Sequence, residues 1–453
     1  MTRRILHLGL GAFHRAHQAV YLQRLHDAGD RSWSLAAGNL RRDGDAVLDA
    51  LIAQHGVYTL ETVSPEGRRQ YQRIGSIARV VPPASGVEAL IAVGADPATD
   101  IVSLTITESG YGLDARGDLD LHAADIAADL QATREHRAGS SVYGVLAALL
   151  RERQRRQAGP LTLLSCDNLR HNGARLRAAL GRYLQAAGDP ALCDWMQAHT
   201  TCPNTMVDRI TPRPTADLRE RVRAATGLDD AVPVSAEEHL QWVVEDRFAA
   251  GRPAWESVGA ELVDDVAPYE EAKIRLLNAT HSAVAWAGAL RGHAWIHDAV
   301  VDPAVQQLAR DYATLDAIPV LRPSPVDLDT YLAQVLRRFA NPAIADTVQR
   351  VSGDSRTKLA MFVAPTVRDR LARDEPVDAV AMLPALYLAF LERARCATLP
   401  FRYAEPDSAA PAAADPVAAL CGDVAVWGAS AADPRWVAAV RRARARLERL
   451  ALH

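Results

Sequence analysis

The 453-residue sequence predicts an α/β domain over residues 1–264, followed by a mostly α-helical domain over residues 265–453. Three observations predict this. A short apolar strand at the start runs into Gly9-Leu10-Gly11 and then into a helical pattern. Two β-rich runs, 101–107 and 160–165, end in polar residues, as strands of a parallel sheet do where they face a ligand. Beyond residue 265 the apolar spacing turns almost wholly helical. The chain is longer than one ordinary domain, and two fit it.

The elements follow in order. Ile5-Leu6-His7-Leu8 reads as a buried strand, and a helix then extends to about residue 27. Gly9 and Gly11 permit a tight turn and the close approach of a pyrophosphate to the helix start, which is how a Rossmann-type dinucleotide-binding domain begins. The usual third glycine is absent, with His14 in its place, and a plain tight turn is the competing reading. Residues 33–38 read as a second strand ending in Asn39-Leu40-Arg41-Arg42-Asp43, where an adenosine ribose would lie. An acid there binds a 2′-hydroxyl and an arginine a 2′-phosphate; Arg41, Arg42 and Asp43 offer both, with the acid later than usual, so NAD is only a lean and NADP is not excluded.

Residues 46–54 read as a helix, 57–63 as a strand, and 71–81 as one strand that pairs back on it across the turn at 64–67. The strand at 101–107 ends at Glu108-Ser109-Gly110-Tyr111, and the strand at 160–165 in Cys166-Asp167-Asn168. Asn168 therefore either faces a substrate or caps the next helix. Residues 174–198 read as helical with a break at Gly188-Asp189-Pro190. The compact segment 203–212 carries the charged pair Asp208-Arg209, and 241–246 and 260–263 read as late strands.

Asp264 and Asp265 supply acceptors at the domain boundary, just before a helix over 268–281. Ile274, Leu277, Val284 and Ala285 mark its buried face, and Lys273, Asn278 and His281 interrupt it. At ~100° per residue, Lys273 and His281 lie ~80° apart, and Asn278 lies ~60–140° from them, so all three border one cleft over ~12 Å of axis. One reading is a half-exposed helix with a snorkelling lysine. The other is catalytic: burial and the positive helix end disfavour the ammonium, which lets Lys273 act as a general base toward an alcohol. Asn278 then holds the substrate oxygen and His281 a neighbouring hydroxyl. Further helices are expected at 304–314, 328–339, 344–351, 364–373 and 377–395, an Ala/Pro-rich loop at 404–414, and an arginine-rich helix with a solvated face at 434–450.

Hydrophobic residues make up 49% and charged residues 23%, as in ordinary globular proteins. A formal net charge of −4 offers no basic footprint for nucleic acid or an acidic membrane. No apolar run approaches signal-peptide or membrane-spanning length, so a cytoplasmic protein is expected. Five scattered cysteines suggest neither a disulfide framework nor a zinc site. His14 and His17 lack a carboxylate or cysteine to complete a metal set, so no metal is expected.

Taken together, five segments resemble the long-chain, metal-independent polyol dehydrogenases of the mannitol dehydrogenase family. They are Gly-Leu-Gly-Ala-Phe-His-Arg-Ala-His-Gln-Ala at 9–19, Thr-Ile-Thr-Glu-Ser-Gly-Tyr at 105–111, Ser-Cys-Asp-Asn at 165–168, Met-Val-Asp-Arg-Ile-Thr-Pro at 206–212 and Lys-x4-Asn-x2-His at 273–281. The resemblance spans nearly the whole chain. It implies Lys273 as general base, Asn168 and Asn278 as paired amides on the reacting oxygen, and His281 as their hydrogen-bonding neighbour. It also implies Arg350 and Lys358 as grips on distal hydroxyls, Asp208 as a charge near the lysine, and Glu270 at the proton exit. NAD would be held by Gly9, Gly11, Phe13, Arg41, Asp43, Thr107 and Glu108. The wording at 36–41, 61–67 and 382–386 implies D-arabinitol as substrate, oxidised at C4 to D-xylulose, with mannitol or a hexuronate as the alternatives. Ser235-Ala236-Glu237-Glu238-His239 departs from a more apolar run in several relatives, which leaves the pocket edge open there. A polyol or ketose is the only partner implied, with a monomer or weak oligomer as the state.

Overall fold

In a computed structural model, residues 2–114, 117–135, 137–403, 413–431 and 433–449 are described. The Ala/Pro-rich stretch expected at 404–414 lies outside them as far as residue 412. Two units emerge: Met1–Val63 with Arg69–Ala267, and Ser64–Arg68 with Pro268–His453.

In the first unit the strands, in chain order, are β1 Arg3–Leu8, β2 Trp33–Gly38, β3 Tyr58–Val63, β4 Arg69–Ile74, β5 Ile77–Val80, β6 Thr99–Leu104, β7 Leu161–Ser165, β8 Thr200–Thr201, β9 Thr205–Asp208, β10 Val234–Glu237, β11 Gln241–Glu245 and β12 Glu261–Val263. Six of them form a parallel sheet in the order β5-β2-β1-β6-β7-β8. Its strands alternate between two cores: Leu6, Leu8, Val102 and Leu104 pack to one face, and Ile5, Leu35, Ile101 and Leu164 to the other. Burial on both faces is why these strands read as continuous apolar runs. Register sets Leu8 beside Gly38 and Leu104, and Leu104 beside Ser165, so four strands end level. That is where an open α/β sheet binds its ligand.

The single strand expected at 71–81 is two. β4 pairs antiparallel with β3, whereas β5 joins the main sheet parallel to β2. The chain leaves the ladder between them because Gly75 N–H bonds Gln23 Oε1 at 2.7 Å and the buried Ser76 hydroxyl donates to the Ala19 carbonyl at 2.7 Å. Two three-stranded sheets, β10-β3-β4 and β12-β11-β9, complete the unit. The first helix is also interrupted: Ala12–Ala16 and Gln18–Asp27 are separated at His17, whose Nε2 bonds the Gln241 carbonyl at 2.8 Å.

The second unit is helical around Ala279–Leu290, in which every residue but His281 is buried. A helix this apolar on all sides belongs inside a bundle. Its small residues admit close neighbours, and a Cβ on Gly288 would lie 2.6 Å from that of Ala299. The helices Leu328–Phe339, Ala364–Ala372 and Pro434–Arg449 follow expectation. On the last, Arg435, Arg441, Arg442 and Arg444 pair with Asp374, Asp415, Asp378 and Glu392, as a solvated face would.

Two expectations here are corrected. No helix spans 344–351: Ala345 has φ +50°, and the backbone of Asp346 and Val348 bonds Ile296 and Ala294, leaving only Val348–Val351 helical. The helix expected from 377 begins at Met382, because Val380 N–H is taken by the Asp316 carboxylate at 2.6 Å. Among the described residues no helix is long and apolar enough to cross a membrane.

Candidate active site

The cradle at the end of β1 is built from backbone. Gly9 has φ +106°, and a Cβ there would sit 1.9 Å from the Thr105 carbonyl oxygen, so only glycine fits. At Gly11 the nearest atom to such a Cβ is 3.9 Å away, which leaves open space for a diphosphate to approach. Asn39 Oδ1 accepts from Leu10 N at 2.6 Å and ties the turn to the end of β2. Beneath the turn, His7 bonds Ser103 Oγ and Thr105 Oγ1, each at 2.9 Å, and stacks on His14 with centroids 3.4 Å apart. Burial lowers the His7 pKa to about 3 and holds that of His14 well below its usual value. His14 thus fills the place of the third glycine as a neutral packing ring. Phe13 is half-buried against His17, and Arg41 and Asp43 are exposed beyond β2. These residues fit a dinucleotide.

At the ends of β6 and β7, Asp167 organises the floor. Its carboxylate accepts from Ile106 N at 3.1 Å, Thr107 N at 2.9 Å and the Tyr111 hydroxyl at 2.9 Å. Burial raises its pKa against the pull of those donors. This clamp holds Thr107 at φ +66°, a strained position for a β-branched residue, and turns Thr107 and Glu108 outward. Asn168 is exposed just past β7. It does not cap the next helix, which starts at Asn172 with His171 as its N-cap. Asp208 is buried at the end of β9, with His239 Nε2 3.5 Å from its carboxylate. The departing segment 235–239 supplies that histidine, while Ser235 bonds Glu61 and Glu237 accepts from Ile210 N at 2.6 Å.

In the second unit the helix expected over 268–281 is not uniform. Ala267–Ala272 is α-helical, Lys273–Asn278 is a π-turn, and α-helix resumes at Ala279. Ala279 N–H returns to the Ile274 carbonyl, five residues back. The 100° arithmetic therefore fails across this turn, which begins at Lys273 and ends at Asn278. Lys273 is buried, Asn278 half-buried, and Glu270 is buried three residues before the lysine.

Two features hold the turn. The buried Tyr312 hydroxyl donates to the Arg275 carbonyl at 3.0 Å. The Arg275 side chain lies between Glu271 at 2.8 Å and Asp369 at 2.7 Å, and the two carboxylates hold its pKa up against burial. Tyr312 itself opens a second π-turn, Tyr312–Ala317, and Leu359–Val363 is a third.

His281, one turn on, is 15% exposed and stacks on Phe339 at 4.3 Å. Burial lowers its pKa to about 4, opposed by Asp346 and reinforced by Arg350, Lys358 and Arg338. Arg350 is bound by Asp346, and Lys358 Nζ donates to the Val351 carbonyl at 2.6 Å. Asp346, Phe339, Tyr312 and Asp167 were not singled out from the sequence. For Asp346 a signal existed, an acid four residues before an arginine. Among the described residues no group of three or more His, Cys, Asp or Glu could hold a metal.

A glycine turn at the level strand ends of a parallel sheet is where an α/β domain takes up a dinucleotide. The chain belongs to the mannitol dehydrogenase family: residues 3–257 match its Rossmann domain and residues 265–447 its C-terminal domain. Two relatives are D-arabinitol 4-dehydrogenases. That of Ralstonia nicotianae is 54% identical over 98% of this chain and 96% of its own, and that of Klebsiella pneumoniae is 48% identical over 96% of each. Among solved structures, Pseudomonas fluorescens mannitol 2-dehydrogenase in ternary complex with NAD and D-mannitol is 36% identical. It superposes with TM-score 0.85, covering 100% of this chain and 93% of that one. A D-sorbitol dehydrogenase in substrate-free form is 33% identical with TM-score 0.89, covering 100% of this chain and 94% of that one. The protein is a polyol dehydrogenase.

Proposed function

We propose that this protein oxidises D-arabinitol at C4 to D-xylulose with NAD, using Lys273 as general base. The observation that carries the substrate is the near full-length identity, 54% and 48%, with two D-arabinitol 4-dehydrogenases. For the base, the support is a buried lysine that opens a π-turn closed by a half-buried asparagine.

Lys273 Nζ takes the proton of the C4 hydroxyl. Asn278 and Asn168 donate amide N–H groups to the oxygen as negative charge gathers on it, the logic of an oxyanion hole. His281 bonds the neighbouring hydroxyl as a neutral ring. Glu270, three residues before Lys273, passes the proton onward, and Asp208 adds a charge to the site. Arg350 and Lys358 donate to hydroxyls at the distal end. NAD, when bound, would supply the acceptor for the hydride of the alcohol carbon. Gly9 and Gly11 admit the pyrophosphate, with Phe13, Thr107 and Glu108 around it, and Asp43 favours a free ribose 2′-hydroxyl over the phosphate that Arg41 would attract.

The test is steady-state kinetics with NAD and NADP on D-arabinitol, D-mannitol, D-sorbitol and a hexuronate. D-arabinitol with NAD should give the highest kcat/KM, and D-xylulose should be the product. Mannitol or the hexuronate ahead by about tenfold, ~1.4 kcal/mol, contradicts the substrate. The same margin for NADP contradicts the cofactor.

A further inference from the structure

Next to two of the proposed substrate contacts lies a buried carboxylate to which the reaction just proposed gives no task. The Asp346 side chain is only 8% exposed. Its Oδ1 accepts from Arg350 Nε at 2.5 Å, and its Oδ2 from Arg350 Nη2. The same Oδ2 lies 3.6 Å from His281 Nε2, which is itself buried. Asp346 thus joins a distal grip to the histidine beside the reacting carbon.

Its position is fixed from both sides. The Asp346 carbonyl accepts from Ile296 N and the Ala294 carbonyl from Val348 N, each at 2.9 Å. Thr347 Oγ1 accepts from Arg350 N at 3.1 Å and starts the short helix that carries the arginine. Phe339 stacks on His281 from its own helix and limits rotation of the ring.

Two chemical consequences follow. A guanidinium held by a carboxylate through two nitrogens meets a ligand as a neutral pair, with the Nη1 donors still available for a hydroxyl oxygen. An arriving carboxylate at Nη1 would be drawn by Arg350, but that attraction is offset by the charge of Asp346 on the opposite edge of the guanidinium. At His281, an acid beside Nε2 favours the tautomer protonated there, which leaves Nδ1 as an acceptor for a hydroxyl hydrogen. Nδ1 in that form has nothing to offer an anion.

We propose that Asp346 is a specificity-determining residue, which makes the distal end of the site select neutral polyols over carboxylates of the same length. This rests on the reading of Arg350 and His281 as substrate contacts. The matched ligands are D-arabinitol and D-arabinonate, which differ only at C1, the end remote from the oxidised C4.

The experiment is calorimetric titration of both ligands into the enzyme–NADH complex, where no oxidation occurs, in wild type and in D346N. The wild type should bind D-arabinitol more tightly than D-arabinonate. D346N should shift the ratio of the two dissociation constants toward D-arabinonate by about tenfold, chiefly by tightening D-arabinonate. A ratio unchanged within about twofold, or one moved only by weaker D-arabinitol binding, overturns the proposal. If D346N no longer binds NADH as wild type does, D346S is read by the same criterion, and its failure to shift the ratio overturns the proposal as well. Turnover is not used, so a wild type that binds D-arabinitol without oxidising it contradicts the proposed function and leaves this result standing.

Discussion

The turn after β1 and the turn at Lys273–Asn278 both leave the regular backbone ladder, and they do so by opposite means. At Gly9 the departure is local: φ is +106°, and a side chain would strike the Thr105 carbonyl at 1.9 Å. No residue but glycine serves, so the sequence shows the turn. The π-turn contains Lys-Ile-Arg-Leu-Leu-Asn, residues that suit an ordinary helix or differ from it only slightly. Its extra residue is supported from outside, by the Tyr312 hydroxyl on the Arg275 carbonyl and by Glu271 and Asp369 on the guanidinium. Special backbone geometry is legible where one residue bears it and silent where distant partners share it.

Changes at the two turns should therefore give different losses. Lys273→Ala carries the largest. It should lower kcat for D-arabinitol by about the 10²–10⁴ typical of a general base, with the dissociation constant of NADH unchanged. Asn278→Ala should raise the barrier by about 2.7–4 kcal/mol and likewise spare the nucleotide. Loss of nucleotide binding in either variant would erase the distinction between the two turns.

Gly9→Ala probes the turn after β1. A methyl at a positive φ and inside a backbone contact should cost about 3 kcal/mol, read as a lower melting temperature and weaker NADH binding. A variant as stable as wild type would show that this turn, too, is supported from elsewhere.

Acid acts on both regions, because both bury neutral histidines: His7 and His14 under the first turn, and His281 after the second. Burial lowers the His281 pKa to about 4 and that of His7 to about 3, and it holds His14 well below its usual value. Each takes up a proton in the unfolded chain at a higher pH than in the folded one. Their contribution to stability is therefore complete above the unfolded value of about 6.5 and is lost as pH falls toward the folded values. Each should cost on the order of 1.4 kcal/mol of stability per pH unit below about 6.5, seen as a falling urea midpoint between about pH 7 and pH 5. A midpoint that stays level would mean that these rings are charged in the folded protein.

Tyr312→Phe should have the smallest effect. It removes one hydrogen bond from the Arg275 carbonyl and keeps the ring, so about 1 kcal/mol is expected. If the bond holds the π-turn, that loss should appear in kcat more than in the NADH dissociation constant. An equal loss in both would place the role of Tyr312 in general stability.

Much of the candidate site is readable because its residues sit in short, ordered motifs: Gly9 and Gly11, Asn168 after a strand, and Lys273, Asn278 and His281 at fixed spacing. The strand at 33–38 and the helix Leu328–Phe339 are readable from period alone. What stays hidden depends on contacts far apart in the chain. The expected strand at 71–81 is divided by Ser76 bonding Ala19, and the expected helix at 344–351 is undone by pairing with Ala294 and Ile296. His14 reads as a missing glycine, and its stacking on His7 becomes visible only once β1 and the following helix are folded.

Lys273 as the base is the central claim, and chemical rescue tests it most directly. The measurement is kcat of Lys273→Ala on D-arabinitol with increasing methylamine, at saturating NAD and at several pH values. If Lys273 is the base, activity should rise with the concentration of the unprotonated amine, while Lys273→Ala without amine stays about 10²–10⁴ below wild type. Near-wild-type turnover in Lys273→Ala without any amine would contradict it.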